Sequence, residues 1–122
     1  MSNRSSITVL TETYSLGFIA VPLTAGSIYG LRLVLNTGFI MTCLTPGARD
    51  GLIAFGNLRR GDGKYPVLHD LAIGGRPLPP IPVRVNQAVA RYSPDGMLGL
   101  DILSLFREIH FDVETRRLTL TF

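Results

Sequence analysis

The stretch Leu31-Arg32-Leu33-Val34-Leu35-Asn36-Thr37-Gly38 decides how this chain is read. Counted back to residue 28, Tyr29, Leu31, Leu33 and Leu35 alternate with Ile28, Gly30, Arg32 and Val34, so both faces of an extended segment are mostly apolar. That pattern belongs to a central strand packed on two sides, since a strand with one wet face alternates apolar with polar. The run then breaks into Asn-Thr-Gly, residue types that favour a tight turn. A second apolar run closing on glycine, Met97-Leu98-Gly99, answers it about sixty residues later and continues as Leu100-Asp101-Ile102-Leu103.

Outward from this pair the signal is β. Residues 7–14 are rich in β-branched types and residues 18–23 follow after Gly17, which predicts an opening hairpin. Ala25-Gly26-Ser27 turns the chain into the central strand. Residues 39–44 are apolar enough for a further buried strand before Pro46-Gly47. After Leu52-Ile53-Ala54-Phe55, residues 56–70 shift to Gly, Arg, Asp, Asn and Lys, and Gly56, Gly61 and Gly63 mark a mobile hairpin suited to a lid. Residues 68–73 return to a strand pattern, Gly74-Gly75 turns, and the proline-rich segment 76–82 leads to residues 83–85. Proline lacks an N–H, so that segment is expected at a sheet edge rather than as a docking peptide. Residues 100–108, with Leu100, Ile102, Leu103, Leu105 and Phe106 at helical spacing, are the one expected helix. Residues 109–113 and 118–122 form a last hairpin, whose terminal strand would be an open edge unless a partner covers it.

Composition narrows the classes. The 122 residues, 46% of them hydrophobic, suit a single domain over 1–122, which at this size buries roughly two-thirds of the surface its unfolded chain exposes. No window approaches the ~18 uninterrupted apolar residues of a membrane-spanning helix. The polar start, Met1-Ser2-Asn3-Arg4-Ser5-Ser6, has no secretory apolar core, so the cytoplasm is the default location. A formal charge of +3 is spread over Arg32, Arg49, Arg84, Arg91 and Arg107, with pairs only at Arg59-Arg60 and Arg116-Arg117 beside expected turns. That is no stripe for nucleic acid. Cys43 is the single cysteine, which excludes an internal disulfide and an all-cysteine metal site, and it reads as a small buried residue. His69 and His110 fall in separate strands without metal-ligand spacing. Asp101 starts the expected helix, where a carboxylate serves as a cap or structural ion pair before it serves catalysis.

An opening hairpin, a strand ending in Asn36-Thr37-Gly38, a glycine-rich hairpin, Met97-Leu98-Gly99, a short helix and a terminal strand resemble, over residues 7–122, the retropepsin-like aspartic proteases. That single-domain group includes the retroviral proteases and small microbial relatives. The stretch Gly96-Met97-Leu98-Gly99-Leu100-Asp101-Ile102-Leu103, followed by Ile109-His110-Phe111-Asp112, looks especially like the microbial members. Phe39 departs from the Ala or Ser usual after the glycine in retroviral enzymes. The resemblance implies an all-β fold, a closed β-barrel half with one short C-terminal helix, working as a homodimer. It implies a polypeptide substrate and no metal or cofactor, and it places the catalytic turn at Asn36, Thr37 and Gly38. Phe39, Ile40 and Met41 then fall along the substrate groove, and Gly61 and Gly63 in the flap above it.

In that family position 36 should be Asp. Two such carboxylates, one from each chain, share a proton because like charges so close cannot both ionise cheaply. The ionised one activates a water and the protonated one donates to the scissile carbonyl, each role contributing roughly 10²–10⁴-fold. An amide fills neither role, so the chain as written is expected to be an inactive form of an aspartic endopeptidase. Thr37 would bond across the dimer to the partner's turn, and Gly38 would let the backbone approach substrate. Asn36 has two readings: an engineered replacement of Asp, favoured because its surroundings stay protease-like, or a natural pseudoprotease that keeps the groove for binding. A purely structural dimerisation module is the third class.

Overall fold

The structure, a computed structural model, describes residues 5–14, 17–26 and 29–122. Ser27 and Ile28, expected in the turn and strand before Tyr29, lie outside the described residues, as do residues 1–4 of the polar start. The strands are β1 (Ser6–Leu10), β2 (Glu12–Thr13), β3 (Ile19–Ala25), β4 (Tyr29–Leu35), β5 (Cys43–Leu44), β6 (Leu58–Arg59), β7 (Val67–Leu68), β8 (Leu71–Ile73), β9 (Arg76–Pro77), β10 (Ile81–Pro82), β11 (Arg84–Val85), β12 (Gly96–Leu98), β13 (Glu108–Asp112) and β14 (Arg117–Thr121). Two α-helices, α1 (Pro46–Ala54) and α2 (Leu100–Leu103), and a 3₁₀ helix at Gln87–Arg91 interrupt them.

The quoted stretch becomes β4, and it is central as its pattern required. It pairs antiparallel with β3 on one side and parallel with β12 on the other, in an eight-stranded sheet ordered β11-β5-β12-β4-β3-β8-β9 with β2 added against β3. Leu31 and Leu33 enter the main core, while Val34, on the opposite face, packs with Ala20, Cys43, Val89 and Met97 in a smaller one. Leu33 and Val34 are both fully buried. Two further sheets, β1-β14-β13 and β10-β7-β6, supply Val9, Leu58, Leu68, Ile81, Leu118 and Leu120 to the main core. The ladders among the described residues thus make three sheets with open edges, and a closed barrel is not among them.

The structure corrects the sequence reading in several places. The C-terminal helix is not the one helix: α1 runs for nine residues, ending in the apolar segment that the sequence pattern leaves without an element. Thr45 caps it, its Oγ1 accepting the Ala48 N–H at 3.2 Å, and Pro46 opens it, so the start signal was present in the sequence. Gly47 and Gly51 obscured it, since glycine weakens a helix interior. Gly51 is there because the Tyr29 ring lies where a Cβ would project. The expected strand at 39–44 shrinks to β5, the chain passing through a turn and bend before it. Helix α2 stops at Leu103, and Glu108 already begins β13.

The opening hairpin is confined to β2 with β3; β1 instead pairs with β14. Strand β14 is therefore no open edge, being held by β1 on one side and β13 on the other. The proline segment does lie at edges, β9 closing one end of the large sheet and β10 one end of a small one.

Candidate functional site

Strands β4 and β12 run side by side and end together, with Leu35 opposite Leu98. The Asn36 N–H continues the ladder by donating to the Leu98 carbonyl at 3.1 Å. The chain then turns: the Phe39 N–H donates to the Asn36 carbonyl at 3.2 Å, and the Gly38 N–H donates to Asn36 Oδ1 at 2.9 Å. A side-chain oxygen bonded two residues ahead is the closure that asparagine and aspartate share, because a carboxylate oxygen accepts the same bond. Asn36 is half-buried, and Thr37 and Gly38 are exposed.

Beyond the turn the backbone crosses over the start of α2. The Leu100 N–H donates to the Phe39 carbonyl at 2.8 Å and the Asp101 N–H to the Ile40 carbonyl at 3.1 Å. The Asp101 carboxylate returns the contact: Oδ2 accepts the Thr42 N–H at 2.9 Å, and Oδ1 accepts the Thr42 hydroxyl at 2.7 Å and the Ile102 N–H at 2.9 Å. Thr42 Oγ1 accepts the Gly99 N–H at 3.1 Å. Asp101, in the first turn of α2 behind the N-cap Gly99, thus ties the two halves of the sequence signal together through hydrogen bonds to Thr42 rather than an ion pair. Two glycines permit the crossing. A Cβ on Gly99 would stand 2.7 Å from the Met41 carbonyl carbon, and Gly96, at φ +153°, has the Cys43 carbonyl where its side chain would go. Ser93, almost fully buried, fixes the Gly96 turn by accepting the Gly96 N–H at 2.9 Å and donating to its carbonyl.

Two cavities flank the turn. One of about 260 Å³ is lined by Asn36, Asn86 and Ala88 and by Phe18, Phe39, Val89, Tyr92 and Met97. The other, about 470 Å³, is lined by Gly38, Phe39, Ile40, Met41, Cys43, Arg84 and Asn86. Phe39 and Asn86 belong to both, so the cavities adjoin. The structure therefore brings Asn36, Gly38, Phe39, Ile40 and Met41 together around one concave surface. Ile40 is 78% exposed there, a large apolar side chain left in solvent. Gly61 and Gly63 lie in the connection from β6 to β7 and line neither cavity. Burial pushes the Cys43 thiol up from its ordinary range, and the Arg84 charge opposes that only in part. Among the described residues no three His, Cys, Asp or Glu side chains gather where they could hold a metal ion.

Thr42, Asn86 and Arg84 escaped the sequence reading. Asn86 had a local signal, because it caps the 3₁₀ helix through its Oδ1, which accepts the Ala88 N–H at 2.9 Å. Thr42 had none, its partner lying 59 positions away.

The fold has solved counterparts. A retropepsin-like aspartic protease from Rickettsia conorii superposes with a TM-score of 0.66 at 16% identity, covering 98% of this chain and 94% of that one. The retroviral protease-like domain of Ddi1 from Leishmania major superposes with a TM-score of 0.52 at 21% identity, covering 84% and 87%. At these identities the likeness establishes a retropepsin-like fold. No protein-family description and no curated protein matches the chain by sequence.

Proposed function

We propose that two copies of this chain bind an extended polypeptide across their Asn36-Thr37-Gly38 turns, in the manner of an aspartic endopeptidase whose acid is replaced. One observation carries the reading. Asn36 sits where β4 and β12 end together, and its Oδ1 already accepts the Gly38 N–H at 2.9 Å, a bond an aspartate at this position would make unchanged. The adjoining cavities, walled by Phe39, Ile40, Met41 and Met97, supply apolar contact for the polypeptide, and the β6–β7 hairpin with Gly61 and Gly63 is the candidate cover. The amide cannot ionise, so the chain holds its ligand without cutting it. The alternative, a natural binding module, differs in origin rather than in present chemistry, and the codon at position 36 of the source gene separates the two.

The substitution Asn36→Asp tests the proposal. It rebuilds an ionisable pair in the dimer, so endopeptidase activity should appear on peptides with apolar residues at the cut, read by mass spectrometry of the products. One carboxylate must be protonated and the other ionised, so the rate should be bell-shaped in pH with its maximum on the acidic side. A hydroxyl-bearing transition-state mimic should inhibit it and metal chelators should not. A folded Asn36→Asp dimer that stays inert toward a broad peptide library from acidic to neutral pH leaves only the binding role, and a protein that remains monomeric at high concentration with peptide present refutes the proposal.

A further inference from the structure

Among the residues lining the larger cavity there is one charge, the guanidinium of Arg84. Its backbone is fixed: Arg84 pairs with Cys43 in the β11–β5 ladder and its N–H donates to the Thr42 carbonyl at 3.0 Å, so the side chain leaves from a set point beside the Asn36 turn. Its companions Gly38, Phe39, Ile40, Met41, Cys43 and Asn86 carry no carboxylate. The surface ion pairs among the described residues employ other arginines, Arg32 with Glu12 and Arg49 with Asp50. Arg84 is exposed and its fork is directed to no acidic partner among them. The adjoining smaller cavity is different in kind, being walled by Phe18, Phe39, Val89, Tyr92 and Met97 with no charge at all.

Resting on the polypeptide-binding reading above, we infer that the chain selects polypeptides that place an acidic side chain in the Arg84 cavity next to a large apolar side chain in the Phe18–Tyr92 cavity. A guanidinium presents paired donors that match a carboxylate in two-pronged fashion, which a neutral side chain cannot reproduce. The apolar cavity supplies area and no discrimination by charge. Selectivity for the acid comes from Arg84, and affinity from both.

The test uses the Asn36 chain, which on this reading binds without cutting, and fluorescently labelled decapeptides that carry a central Phe and a single Glu walked along the other positions, each paired with its Gln isostere. Binding is read by fluorescence polarisation at low and high salt. At one position Glu should bind roughly two- to five-fold more tightly than Gln, a range set by an exposed ion pair, and salt should erase the preference. Arg84→Gln should abolish the preference by bringing Glu-peptide binding down to the level of Gln-peptide binding, and Arg84→Glu should reverse it toward a Lys peptide. Circular dichroism verifies that each variant folds, and Arg107→Gln serves as a control that removes a charge outside the cavity. If Glu and Gln peptides bind equally at every position, or Arg84 variants keep the preference, the inference about Arg84 is overturned and the groove reading stands. If no peptide binds the Asn36 chain or its Asn36→Asp variant, both are overturned.

Discussion

The crossing beneath Asn36 and the hairpin of β6 and β7 are both built on glycine, and they differ in what stands in a side chain's way. At Gly99 a Cβ would lie 2.7 Å from the Met41 carbonyl carbon and 2.9 Å from the carbonyl oxygens of Met41 and Phe39, all of them backbone. At Gly61 the obstacle is Val67 Cγ2, the movable end of a side chain, and at Gly63 nothing lies within 4 Å. The crossing is a place where two stretches of main chain fix each other, with Asp101 and Thr42 bonded across it. The hairpin is tied at its base, where Leu58 and Asn57 are buried and the His69 N–H donates to the Asn57 carbonyl at 2.8 Å, and along β7, which pairs with β6 and β10, so the exposed tip begins later than the glycine at position 56 suggests. The floor that holds Asn36 is backed by main chain on both sides, and the exposed glycines beyond Arg59 meet no main chain at all.

The contrast can be broken most sharply at Gly99. Gly99→Ala must separate two backbone segments, so it should cost about 3 kcal/mol or more, seen as a lower denaturant midpoint with the slope retained. Asp101→Ala comes next, leaving the Thr42 N–H and hydroxyl without their acceptor for about 1.5–3 kcal/mol. A double-mutant cycle with Thr42→Val should show the two losses overlapping rather than adding; full additivity would mean the bonds across the crossing contribute nothing jointly. Amide exchange sharpens the same comparison from the other side, since residues 60–64 should exchange roughly a thousand-fold faster than residues 31–35. Equal protection in the two segments would remove the distinction. The smallest effect belongs to Gly63→Ala, which should leave stability within about 0.5 kcal/mol of the native chain.

How much of this was legible follows from how far each signal reaches along the chain. The central strand was legible because its two-faced apolar pattern is local to residues 29–35; Met97-Leu98-Gly99 repeats the same apolar-to-glycine ending, but its pairing with β4 shows only in the structure. Helix α1 was legible in principle through Thr45-Pro46, but its two glycines and the apolar 52–55 weighed the other way. Thr42 looked like one more β-branched residue in an apolar run. Its task is set by Asp101, and no local pattern carries a partnership between residues so far apart. The exposed edge assigned to β14 failed for the same reason, since nothing in residues 117–121 announces that residues 6–10 will lie beside them. The Asn36 turn itself was plain, and Arg84 was not, because a lone arginine among scattered arginines acquires meaning only from the cavity around it.

The placement of β14 between β1 and β13 also sets an order of events during synthesis. Thr8 and Thr119, whose hydroxyls meet at 3.1 Å, stand 111 positions apart. Strand β1 must wait for its ladder partner until a segment about 111 positions further along the chain has been made. Long-range pairing of this kind slows folding, because the loop must close before its contacts contribute. A nascent chain halted before residue 117 should therefore stay open to protease at β1, and gain protection there in one step once β14 is released.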